Sequence, residues 1–212
     1  MPTAQAIIDE LRLESLNDAS KDRYSDARVL GNLNDFFREA CVRRPDLFAT
    51  QGTVATVSGV YQVAPADSVR LMDVMQVQGG RMVRETDQEV LDCLDPIWRA
   101  AVPGSTKNWM RYHNDPNRFM VTPPAPASAV TLVVLYAKVP APISLGDAFP
   151  IPDVYIPAAK HYMVYKIEMP QDESVLSGRA QMEFAAFESL LAASVASKGL
   201  TDNQKSRKDQ RA

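Results

Sequence analysis

Apolar residues recur at three- and four-residue spacing at both ends of this chain. In its middle they alternate or run together. Residues 3–15 place Ala4, Ile7, Ile8 and Leu11 on one stripe, which predicts a short helix. Asn17 to Lys21 is a polar break. Ser25 then suits an N-cap, with Asp26 in the first turn against the helix dipole. Val29, Leu30, Leu33, Phe36, Phe37, Ala40 and Cys41 follow at helical spacing, the clearest amphipathic pattern in the chain. Arg43 and Arg44 fall in its last turn, and Pro45 stops it.

The period changes after that proline. Residues 52–63 are β-branched and loosely alternating, and read as one strand bent at Gly59. Pro65, Asp67 and Ser68 make a turn, and 69–77 is a second strand. Gly79-Gly80 supplies positive φ angles for a hairpin into residues 81–86. Asp87 caps a short helix carrying Val90, Leu91 and Leu94, which Pro96 interrupts before Trp98. Residues 102–108 read as a loop, and 108–113 and 118–122 as strands around the turn Asp115-Pro116-Asn117. Pro123, Pro124 and Pro126 are expected to break the chain. Residues 129–139, long and valine-rich, read as a central strand, and 140–150 as a proline-rich loop.

Helical spacing then returns. Pro152 and Asp153 open a helix with Val154, Tyr155, Ala158, Ala159, Tyr162, Met163 and Ile167 on one face. Pro157 fits a helix starting near Ile156, and Pro170 ends it. Asp172 and Glu173 begin a last helix with Leu176, Ala180, Phe184, Phe187, Leu190 and Leu191 as its stripe. After Ser197 the chain is polar and net basic, too poor in apolar anchors to order itself.

These elements predict an α+β fold. A helical bundle domain, residues 1–50 and 150–197, is built from the N- and C-terminal helices. An inserted antiparallel β subdomain covers 51–149, and 198–212 is a flexible basic C-terminal tail. Chain ends that flank an insertion must meet to close the parent domain.

An apolar fraction of 46% is enough to bury a core and argues against wholesale disorder. A net charge of −3 offers no global reason to bind nucleic acid. Cys41 and Cys93, the only cysteines, both sit in helical patterns and are expected to be buried thiols. No charged-then-apolar leader opens the chain, and its apolar runs fall short of the roughly 18 residues a membrane span needs. A soluble protein made in a reducing cytoplasm, without a membrane partner, is expected.

Candidate chemistry is sparse. His113 and His161 have no Cys, Asp or Glu at metal-ligand spacing, so no metal site is assigned and both read as structural or surface residues. Nucleophile-elbow and phosphate-loop motifs are missing, and Gly79-Gly80-Arg81 reads as a turn. The pairs Asp92/Asp95 and Asp172/Glu173 suit helix dipoles and solvation better than acid–base work. No catalytic or cofactor-binding residue is therefore assigned, and a hydrolase or transferase lacks the polar constellation it needs. Trp98, Trp109, Tyr112, Phe119 and Tyr136 read mainly as core. The alternative is a nucleic-acid-binding module in which these aromatics stack bases beside Lys107, Arg111, Arg118 and Lys138. In the tail, Lys205, Arg207, Lys208 and Arg211 are the candidate partner-binding residues, set against a simply solvated end.

The order of several stretches resembles the head-to-tail adaptor (connector) proteins of tailed bacteriophages, in particular short-tailed ones. They are YSDARVLGNLNDFFREACVRRPDLF (24–48), VRLMDVMQVQGG (69–80), VLDCLDPIWRA (90–100), NDPNRFMVTPPAP (114–126), LVVLYAKVPAP (132–142) and IPDVYIPAAKHYMVYKIEMPQDE (151–173). The resemblance covers roughly residues 1–195 and not the basic tail. It implies a structural virion protein at the head–tail junction, not an enzyme. Such a protein forms a cyclic homo-oligomer, commonly of twelve copies, that joins the portal protein to the tail nozzle or tail tube. Genomic DNA would pass through its lumen without sequence-specific binding.

Overall fold

The computed structural model describes residues 1–169 and 178–192. The chain divides into two compact units, Met1–Ala40 with Ala141–Ala212, and Cys41–Pro140. The fold is α+β.

In the first unit α1 (Ala4–Leu11) starts where the Thr3 hydroxyl accepts the Ala6 N–H. It buries Ala4, Ile7, Ile8 and Leu11, the stripe the spacing predicts. A π turn, Arg12–Leu16, follows and ends on Asn17 in the left-handed region. The Ser25 hydroxyl accepts the Arg28 N–H at the start of α2 (Asp26–Arg43). Backbone bonds tie the N-terminus to the segment before the next helix: Ala4 N–H to the Asp147 carbonyl at 2.9 Å and Phe149 N–H to the Pro2 carbonyl at 3.0 Å. The Asn34 amide closes a two-bond clasp on the Ile143 backbone, at 3.2 and 2.8 Å. A 3-10 turn, Asp153–Tyr155, leads into α4 (Ile156–Glu168), whose first turn carries Pro157. A fifth helix, α5, covers residues 178–192. Phe36 packs among Phe37, Phe149, Tyr162 and Phe187, with ring centroids 5.4 to 6.5 Å apart. Pro170, Asp172, Glu173 and Leu176 lie outside the described residues, as does the tail expected to be flexible.

The second unit holds two sheets. One has the order β1 (Ala49–Ala55), β7 (Thr131–Lys138), β3 (Ser68–Val77), all antiparallel. β7 is central, as its valine-rich run predicts. The other has the order β2 (Gly59–Val63), β6 (Arg118–Ala125), β5 (Asn108–Arg111), β4 (Arg84–Glu85). The β4–β5 pairing is parallel, so the β region is not wholly antiparallel as expected.

The run 52–63 is not one bent strand. It splits between the two sheets because Gly59 adopts φ +109° and the buried Gln62 amide holds the connection. Its oxygen accepts the Val57 N–H at 2.7 Å, and its nitrogen donates to the Val57 and Gly59 carbonyls. Nor do Pro123 and Pro124 break the chain. β6 runs through both, with a cis peptide before Pro123.

Strand alternation sets the layers. Trp109, Phe119 and Val121 turn to one face of the four-stranded sheet and share a core with Leu71, Val74, Leu132, Val134 and Tyr136 of the other sheet. Met110, Met120 and Val60 turn to the opposite face, where Trp98 and Leu91 cover them. In β1, a Cβ on Gly52 would stand 2.8 Å from the Tyr136 ring, so only glycine fits that close approach.

Candidate docking surfaces

The helix α3 (Gln88–Leu94) starts where the Asp87 carboxylate accepts the Glu89 N–H at 2.9 Å. A 3-10 turn, Trp98–Ala100, follows. Asp92 joins the two. One carboxylate oxygen accepts the Trp98 indole N–H and an Arg99 N–H, both at 2.7 Å, and the Arg99 guanidinium lies 4.5 Å over the Trp98 ring. The Arg99 hydrogen bond first, then that of Trp98, pulls the Asp92 carboxyl down to about 2 against partial burial. Trp98 is thereby anchored in the core while the neighbouring apolar residues point outward. Leu94, Ile97 and Val102 are 79%, 75% and 86% exposed, and Val90 is also exposed. These exposed apolar side chains are candidates for the apolar part of a docking surface.

Of Val90, Leu91 and Leu94, which the sequence places on this short helix, only Leu91 packs on the core. The signal available was Pro96, which ends the period and leaves Trp98 as the residue that faces inward.

Elsewhere in the same unit a groove of about 410 Å³ is lined by Arg70, Trp109, Arg111, Tyr112, His113 and Arg118. Two of its cations are engaged. Arg111 donates to Glu85 at 2.6 Å and to the Met72 carbonyl at 2.8 Å, and Arg118 lies 3.3 Å from Asp115.

The residues singled out in the sequence fall as follows. Trp98, Trp109, Phe119 and Tyr136 are buried and Tyr112 is half-buried, so these rings do not form an exposed stacking platform. This removes the support on which the nucleic-acid alternative stood. Lys138 is held by Asp67 at 3.1 Å. Asp92 and Asp95 do separate local work, since the Asp95 carbonyl accepts the Trp98 N–H. Gly79-Gly80 forms the turn between Val77 and Arg81, whose N–H and carbonyl meet at 2.9 Å, but only Gly79 takes the expected positive φ, at 67°. His161 pairs with Glu183 at 2.5 Å, joining α4 to α5. Cys41 is buried as expected, but Cys93 is exposed, because its side of α3 faces away from the core. Lys205, Arg207, Lys208 and Arg211 lie outside the described residues. Among the described residues no group of His, Cys, Asp and Glu gathers to hold a metal ion, and no helix is long and apolar enough to cross a membrane.

The family model described as SU10 adaptor protein matches residues 2–211. No curated protein matches the chain.

Proposed function

The chain belongs to the SU10 adaptor protein family, which makes it a phage structural adaptor, and we propose that it works as a ring between the portal protein and the tail. The observation that carries this reading is the family match across both structural units. A cyclic ring needs one surface that meets a different surface on the next copy. The exposed ridge of Leu94, Ile97 and Val102 is suited to be one of them, since it is apolar and held rigidly by the Asp92 clamp. Twelve copies match the symmetry commonly met in such rings. The ring sits in the virion at the head–tail junction, after synthesis in the host bacterial cytoplasm, and contacts the portal on one side and the nozzle or tube on the other.

The lumen passes DNA and does not grip it. A strongly basic channel would hold phosphates and slow their passage, and this chain carries a net charge of −3. Weak or no binding to free duplex DNA is expected, and a sub-micromolar Kd at physiological salt would contradict it.

Lys205, Arg207, Lys208 and Arg211 serve the portal contact in this reading, as charged chain ends do when they order on a partner. A portal-binding assay comparing the full chain with one ending at Ser197 tests this. The shortened chain should keep its melting temperature and bind the portal more weakly. Unchanged attachment would exclude a role for these residues.

A further inference from the structure

Four strands stand at the edges of the two sheets, and one of them is left open in a particular way. β3 is closed along its outer side. Its Leu71 N–H donates to the Pro116 carbonyl at 3.1 Å, its Met72 carbonyl accepts Arg111, and its Met75 carbonyl accepts the Val83 N–H at 3.0 Å. Its register also shifts three times. β4 is two residues long. β2 has a register shift, and its Gly59 carbonyl is taken by Gln62. These are the usual devices that blunt an edge.

β1 has none of them. It pairs with β7 one for one from Ala49–Ala137 to Ala55–Thr131. Among the described residues, its backbone groups make no hydrogen bond beyond that ladder. No charged residue or proline falls within it, and the uncharged run extends from Leu47 to Ala66. A neutral edge without bulge, charge or proline is a template for another strand.

The sequence of β1 selects that strand. ATQGTVA is nearly symmetric about Gly52. Paired antiparallel with itself, Gly52 faces Gly52, Gln51 faces Thr53, Thr50 faces Val54 and Ala49 faces Ala55. Each opposed pair matches: polar with polar, β-branched with β-branched, small with small. Such cross-strand pairs are what stabilise an antiparallel ladder. Gln51 and Thr53 are exposed on one face, while Val54 packs on the core from the other. The register therefore keeps both inner faces on the same side of the joined sheet.

We propose that β1 pairs with β1 of a second copy of this chain, antiparallel about a two-fold axis at Gly52, joining the two three-stranded sheets into one of six strands. An isologous contact closes at two copies. It is therefore separate from the seam of any ring, and its failure would leave the adaptor reading untouched.

The test is sedimentation velocity of the full chain from micromolar to submillimolar concentration, with the circular dichroism melt as a fold control. The wild type should show a concentration-dependent dimer. Gln51→Lys with Thr53→Lys sets like charges directly opposite each other twice and should abolish the dimer. Gln51→Lys with Thr53→Glu sets opposite charges in the same places and should restore it, in a salt-sensitive form. In the wild type, amide exchange over 49–55 should slow as concentration rises, a readout that needs no variant. A wild type that stays monomeric across the range overturns the proposal. So does a dimer, or larger oligomer, that the double-lysine variant leaves unchanged.

Discussion

Arg12 donates to Asp18 at 2.6 Å, with each side chain only 1% exposed. The guanidinium also donates to the Tyr24 carbonyl at 2.6 Å and to Asp26 at 2.9 Å. Asp18 in turn accepts the N–H groups of Arg23 and Tyr24. The Arg23 N–H does most to hold its carboxyl below the usual range, burial opposes, and the Tyr24 N–H and the Arg12 charge add to the lowering. One buried cation thus orders the connection between α1 and α2. Removing one partner of a buried pair strands the other, at a cost of about 3–5 kcal/mol. Arg12→Met should lower stability by that amount in urea unfolding, and Arg12→Lys should recover little of it, since an ammonium cannot span three acceptors in a fork.

Phe36 occupies the middle of the aromatic cluster of the helical unit and is fully buried. Truncating a buried phenylalanine to alanine costs about 3–5 kcal/mol. Phe36→Ala should fall in that range by chemical denaturation. Ile97→Ser, on the exposed ridge, should change stability by no more than about 0.5 kcal/mol while weakening association with the next copy or with the portal.

The Asp92 carboxyl sits at about 2 in the fold, below its ordinary 3.8. A depressed carboxyl stabilises the folded state above its unfolded value and loses that contribution as pH falls through the folded value. The stability contributed by the Asp92 clamp should therefore be complete above about pH 4 and fade towards about pH 2. Asp92→Asn should be less stable than wild type at neutral pH. The gap between the two unfolding free energies should narrow over that acid window, and a gap independent of pH would contradict the clamp.

The two thiols should differ sharply. Cys41 is buried, donates to the Lys138 carbonyl at 3.5 Å, and has its pKa pushed up by burial. Cys93 is exposed. A thiol reagent should label one cysteine per folded chain, at Cys93, and both only after unfolding. Peptide mapping of the labelled protein checks the assignment.

Much of this fold was legible in the sequence because period carried it. The Phe36 stripe, the central β7 and the Asp87 cap all follow from spacing and end signals. What was missed depends on single long-range or local side-chain bonds. Arg12 lies within the segment 3–15 that reads as a helix, and nothing in its spacing shows Asp18 and Tyr24 folding back on it. Gln62 read as one more residue of a continuous strand, yet its amide separates β1 from β2. Nothing in the spacing of Val90, Leu91 and Leu94 shows the Asp92 bonds to Trp98 and Arg99 that anchor Trp98 in the core. The exposure of Leu94, Ile97 and Val102 was obscured for the same reason. An exposed apolar ridge and a core stripe have the same composition until the partner of each residue is known.

The most direct measurement of the adaptor assignment is electron microscopy of the protein mixed with its portal protein. The expected result is a closed ring of this chain, twelve copies in number, seated on one end of the portal and continuing its channel. Portal particles that remain bare under saturating protein, or that carry single unringed copies, would contradict it.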